Sequence, residues 1–179
     1  ILNKPQGPPR HVLYLDYEMT DLDLQERLAS MGYGPDDDLA HLHYALLPSL
    51  PPLDTREGAI ALVGVTDAVE AELVVIDTFG RAVAGDGNEA DTVRNFYRMT
   101  GMALKARGIA SLRIDHAGKD LEKGQRGTSA KNDDVDVVWQ LRKADGGFVA
   151  VAKKRRMGWI PETVDIAMSE DDDGVLTFT

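Results

Sequence analysis

"ELVVIDTFGRAVAGDGNEADT" (residues 72–92) opens with an unbroken apolar run that stops at Asp77. Apolar residues without polar alternation predict a parallel strand covered on both faces, and residues 73–77 are the clearest strand in the chain. A buried strand that ends on a single carboxylate presents it to a metal ion or a catalytic water. Two other segments end the same way, "HVLYLDYE" (11–18) and "ASLRIDHAGK" (110–119), with Glu18 and His116 at or just past their tips.

Helical periodicity fills the intervals between these strands. "TDLDLQERLASMG" (20–32) predicts a helix with Thr20 and Asp23 as a capping box, Leu24, Leu28 and Met31 on one face, and Gly32 as its stop. Residues 39–53 predict a short strand and then a proline-broken loop, and residues 55–72 a helix weakened by Gly58 and Gly64. A glycine-rich loop from Gly80 to Gly87 leads into a helix over 88–108, capped by Asn88, with Val93, Phe96, Tyr97 and Leu104 inward and Gly108 at its end. Further on, "VDVVWQLRKADGGFVAVAKKRRMG" (135–158) alternates and turns at Asp145-Gly146-Gly147, as a β-hairpin does, and the closing "GVLTFT" reads as another edge hairpin. The fold class that follows is α/β: a mostly parallel sheet flanked by helices on both faces, with a C-terminal β-hairpin extension. In such sheets a ligand sits at the carboxyl ends of the strands, where Glu18, Asp77 and His116 share one place.

Composition narrows the function. The 179 residues carry 43% hydrophobic and 28% charged side chains, ordinary values for one globular domain with a sizeable core. No apolar run approaches the roughly 18 residues that span a bilayer. With no cysteine there is no disulfide framework and no thiolate metal site, which allows a cytoplasmic setting. A net charge of −10 argues against a broad basic face that coats nucleic acid, and "KKRRMG" (153–158) is the one dense basic run. Because the chain opens on Ile1 and its first strand starts near His11, the expectation is a piece cut from a longer polypeptide.

The strand tips have a common chemistry. An aspartate at a strand end is a poor lone ligand for Mg²⁺, yet it holds the ion's water shell well when phosphate oxygens supply the rest. A glutamate one strand away can orient or deprotonate an attacking water, and a histidine beside them can sense a phosphate. Together Glu18, Asp77 and His116 suit hydrolysis of a phosphoanhydride, where positioning and electrostatics carry most of the catalysis.

"VLYLDYEM…ERLASMG", "LVVIDTFGRA", "RIDHAGKD", "RGTSAKNDDVDVVWQL" and "KKRRMG" resemble, in order and spacing, the successive motifs of RecA-like ring ATPases, closest to the plasmid and phage hexameric replicative helicases. The resemblance runs from about residue 11 to residue 160. It implies that Glu18 is the catalytic glutamate, Asp77 the Walker B aspartate that holds Mg²⁺, and His116 the γ-phosphate sensor, with Lys119 following. It implies that Arg126-Gly127-Thr128-Ser129 is the loop facing single-stranded DNA in the channel of a hexameric ring. Lys154 and Arg156 match the K-x-R-x-G pattern whose basic groups reach the neighbouring subunit's ATP.

The sequence departs from that family twice. A Walker A loop, G-x-x-x-x-G-K-[ST], is absent, so the expectation is a single RecA-like core over residues 1–179 that lacks its N-terminal strand, P-loop and first helix, and that grips phosphate poorly by itself. Where some relatives carry an arginine after the DNA loop, this chain has Asp133, Asp134 and Asp136, which leaves the finger role to Lys154 or Arg156. Competing readings are a RecA-like regulatory ATPase that signals through its oligomeric state, and a non-catalytic oligomerisation or partner-binding module. His11, His41 and His43 have no partnered spacing and read as structural or surface residues, and Trp139 and Trp159 as packing.

Overall fold

Leu13 and Leu15 alternate with Tyr14 and Asp16 along the first strand, so one of its faces is aliphatic while the other carries a phenol and a carboxylate. The computed structural model describes residues 7–116 and 129–179, which fall into two compact units. The first unit, residues 8–20 and 39–134, contains β1 (Val12–Asp16), β2 (Leu42–Leu46), β3 (Leu73–Asp77) and β4 (Ala110–Ile114) in one all-parallel sheet of order β2-β1-β3-β4. Register aligns the strand tips: Asp16 lies opposite Leu46 on one side and Asp77 on the other, and Asp77 lies opposite Ile114.

The other unit contains α1 (Asp21–Ser30), β5 (Val137–Ala144), β6 (Gly147–Arg155), β7 (Thr163–Glu170) and β8 (Leu176–Phe178), the strands forming an antiparallel sheet in chain order. The expected hairpins are thus joined into one four-stranded sheet. Its first turn is Asp145-Gly146, with Gly146 at φ +74°, a conformation that suits glycine. Gly32, at φ +81°, closes α1: its N–H donates to Ala29 and that of Tyr33 to Leu28, a Schellman stop. Leu24 and Leu28 are half-buried on α1, but no residue of that helix is fully buried.

Helices α2 (Arg56–Ala68), α3 (Ala90–Phe96) and α4 (Met102–Ala106) send Leu62, Val93, Phe96 and Leu104 into a core with Leu13, Leu15, Val74 and Ile76. These are the alternate residues of β1 and β3 that point away from Tyr14, Asp16 and Asp77. The parallel sheet is flanked by helices, as expected, and within this unit Leu13, Leu15, Val74 and Ile76 give the core one face of β1 and β3. Helix α2 is capped by Thr55, whose Oγ1 accepts the Gly58 N–H at 3.1 Å. It ends earlier than expected because the chain reverses at Glu70, which takes a left-handed φ of +52°.

Expectation and structure also differ over the helix at 88–108. Asn88 does not cap it: its N–H and side-chain amide both donate to Asp86 Oδ1, and the helix begins after Glu89. Midway, Tyr97–Gly101 forms a π-helical turn. Thr100, buried in that turn, donates its hydroxyl to the Leu53 carbonyl at 2.5 Å, fastening the helix to the loop before α2. Among the described residues no helix is long and apolar enough to cross a membrane.

Candidate functional site

Asp16 ends β1 fully buried, and the hydrogen bonds it accepts explain why it tolerates burial. Oδ1 accepts the N–H groups of Glu18 and Met19 at 2.8 and 2.9 Å, and Oδ2 accepts the Tyr44 hydroxyl at 2.5 Å. The carboxylate is thus a staple that turns the chain just past the strand and fixes the backbone of Glu18.

Glu18 is the hub that results. Its Oε1 accepts the Thr78 hydroxyl at 3.2 Å, forms an ion pair with Arg81 Nε at 2.9 Å, and lies 3.4 Å from His116 Nε2. Thr78 is buried directly after β3, Arg81 lies in the 3-10 turn Phe79–Arg81, and His116 stands two residues past β4. Partial burial works to raise the Glu18 pKa, but the hydrogen bonds from His116 and Thr78 and the positive charge of Arg81 outweigh it. They hold the carboxyl below its ordinary value. Glu18 is therefore ionised at neutral pH, the state a proton acceptor requires.

Asp77 stands beside this hub at the tip of β3, joined to Thr78 by a cis peptide bond. Its Oδ2 accepts the Tyr14 hydroxyl at 2.6 Å. The Tyr14 and Tyr44 rings stack at 4.7 Å between centroids and 7° between planes, so one aromatic pair serves both strand-end carboxylates. Burial, then the bond to Asp77 and its charge, push the Tyr14 phenol well above its ordinary value, which keeps it a donor. Among the described residues no group of three or more histidine, aspartate or glutamate side chains could hold a metal ion unaided. The donors at this tip are hard oxygens, from Asp77 and Thr78. They fit Mg²⁺, an ion that keeps several waters and takes only one or two carboxylates alongside phosphate oxygens.

A second polar network braces the root of the His116 segment. Lys131 is almost fully buried and pairs with Asp115, and its Nζ lies 3.4 Å from Asn88 Oδ1. Arg113 Nη2 donates to Asp134 Oδ1 at 3.1 Å and to the Lys131 carbonyl at 3.3 Å. The Arg113 guanidinium lies 5.3 Å from the centroids of both Phe79 and Phe96, and its Nη1 has no hydrogen-bond acceptor among the described residues.

Of the residues singled out in the sequence, Glu18 and His116 meet directly, and Asp77 adjoins them through Thr78. Ser129, itself exposed, starts a 3-10 turn, Ser129–Asn132, in which Ala130 and Lys131 are buried, while Arg126, Gly127, Thr128 and Lys119 lie outside the described residues. Lys154 sits on β6, and Arg156 just after it donates Nη1–H to Asp136 Oδ1 at 2.8 Å. Asp134 and Asp136 serve as partners, Asp134 to Arg113 and Asp136 to Arg156. Sequence reasoning passed over Asp16, Tyr14, Tyr44 and Arg81. Alternation in "LYLD" carried a readable signal for the first two, since it puts Tyr14 and Asp16 on one face of β1. Nothing local marks Arg81 as a partner of a residue on another strand.

A family model described as an AAA domain matches residues 4–122 of the 179, well over half of the chain. No curated protein matches it. The matched stretch contains the parallel sheet, Glu18, Asp77, Thr78, Arg81 and His116. By that match, and with this group at its strand tips, the chain belongs to the AAA domain family, an ATPase-type module.

Proposed function

We propose that the chain is the ATP-hydrolysing motor domain of a hexameric DNA helicase, in which hydrolysis at subunit interfaces drives movement along single-stranded DNA. The observation that carries the hydrolytic part is the Glu18 hub: an ionised carboxylate in contact with His116 and next to Asp77. Bound Mg²⁺–ATP would supply the electrophilic phosphoryl group and the charge neutralisation that phosphoryl transfer needs. The chain's own groups do the rest. Glu18 orients an attacking water and accepts its proton, His116 links Glu18 to whatever occupies the phosphate position, and Asp77, held by Tyr14, faces the cation's water shell.

The helicase part rests on motif order. In this reading Arg126, Gly127, Thr128 and Ser129 face DNA, and Lys154 and Arg156 reach the nucleotide of the adjacent protomer in a homo-oligomeric ring. The Asp136 contact keeps the Arg156 guanidinium in place until that nucleotide competes for it.

ATP turnover by the intact protein, with and without single-stranded DNA, is the test. Stimulation by DNA and loss of turnover in Glu18→Gln, with nucleotide binding retained, are expected; normal turnover in Glu18→Gln sinks the catalytic assignment. Turnover that ignores DNA points to the regulatory ATPase. A third reading, the non-catalytic module, is favoured by the lack of a G-x-x-x-x-G-K-[ST] loop in these residues, and it predicts no ATP binding.

A further inference from the structure

Glu18 meets Thr78, Arg81 and His116 through one oxygen, and one of these three neighbours has donors to spare. Arg81 reaches Glu18 through Nε, and among the described residues its Nη1 and Nη2 make no hydrogen bond or ion pair. The Arg81 side chain is 63% exposed, that of Glu18 30%. A permanent cation therefore holds unused N–H donors at the carboxyl ends of the parallel strands, where a ligand of such a sheet sits.

The turn that carries Arg81 is held from several sides. Phe79, at its start, is buried with its ring edge-on to Phe96 at 5.1 Å. The Arg81 N–H donates to the Thr78 carbonyl at 3.1 Å, and the Ala82 carbonyl accepts the Leu53 N–H at 2.8 Å. Gly87 approaches so closely that a Cβ there would lie 3.0 Å from the Gly80 Cα. A ligand that engages Arg81 thus has one side chain to order rather than a loop.

We propose that Arg81 is a phosphate-binding and positioning residue, whose Nη groups take the terminal phosphate of a bound nucleoside triphosphate while Nε keeps Glu18 in place. The inference rests on the hydrolytic reading of the Glu18 hub and deepens it. A guanidinium is a rigid planar fork, so one edge can serve a carboxylate while other donors serve a phosphate. A lysine is a point charge and cannot hold two anions in a set geometry. The phosphate is the terminal one because Glu18, which Arg81 touches, orients the water that attacks it. The Arg81 charge also offsets the repulsion of that phosphate by Glu18 and Asp77. Occupancy by the terminal phosphate and placement of Glu18 then become one event.

The test is calorimetric titration of the full-length protein, with Mg²⁺ present, using a non-hydrolysable ATP analogue and, separately, ADP. Arg81→Ala is expected to weaken the analogue about tenfold or more, the loss of a charge-assisted contact, and to leave ADP nearly unchanged. Arg81→Lys keeps the charge but lacks the fork, and is expected to stay weakened for the analogue alone. A merely structural role would weaken both nucleotides alike. That outcome, unchanged analogue binding in Arg81→Ala, or full recovery in Arg81→Lys would overturn the phosphate contact and leave the Glu18 reading standing. No nucleotide binding by the unmutated protein would overturn both.

Discussion

At the scale of the residue, the candidate site is a set of carboxylates with different duties. Asp16 is fully buried and holds the backbone of Glu18 and Met19 and the Tyr44 phenol, a structural duty. Tyr44→Phe should therefore cost about 1–2 kcal/mol in urea unfolding, since it removes the donor from a buried carboxylate oxygen. Glu18 has the opposite character, partly exposed and surrounded by donors. Its folded-state pKa lies below the ordinary 4.5, so the folded state binds the proton less tightly than the unfolded chain. Its stabilising contribution is present above the unfolded value and is lost as pH falls through the folded one. The difference in urea midpoint between the protein and Glu18→Gln should stay constant near neutrality and shrink as pH drops below about 4.5; a gap that widens in acid would contradict the assigned direction.

Elements show where local preference yields to packing. Gly58 and Gly64 both lie in α2, and helix propensity alone ranks both below alanine by about 1 kcal/mol. A Cβ on Gly58 would collide with the Pro52 carbonyl oxygen, whereas one on Gly64 would meet nothing within 4 Å. Gly64→Ala should stabilise by up to about 1 kcal/mol, and Gly58→Ala should destabilise by about 2–3 kcal/mol, the collision outweighing the propensity gain. Thermal unfolding of the two variants reads the contrast. Gly108, at φ +71° with open space around it, ends the helix over 90–106 for a backbone reason, so Gly108→Ala should cost about 1 kcal/mol without any clash.

For the whole molecule, two kinds of ion pair can be told apart. Lys131 is buried with Asp115, and Lys131→Met would leave that carboxylate without its cation next to His116. A loss of about 2–3 kcal/mol is expected, with faster amide exchange around residues 113–116. The Arg156–Asp136 pair is half-exposed on both sides, and Asp136→Asn should change stability by no more than about 0.5 kcal/mol. Hydrogen exchange read by mass spectrometry follows each unit separately and checks both outcomes.

What the sequence by itself determined is the local grammar. The strand at 73–77 appears with the bounds its apolar run predicts, Gly32 and Gly108 stop the helices they were expected to stop, and the hairpin turns at Asp145-Gly146. Such features follow from periodicity and backbone freedom over a few residues. Glu18, Asp77 and His116 were legible for a related reason, since strand ends in a parallel sheet converge whatever their partners. Only the tertiary structure decided that Tyr44 reaches Asp16 across 28 residues, that His116 reaches Glu18 across 98, and that three histidines without partnered spacing meet at one pole. Strand order and register set those contacts to within tenths of an ångström. Both depend on how the whole core packs, a property that no short stretch of sequence contains.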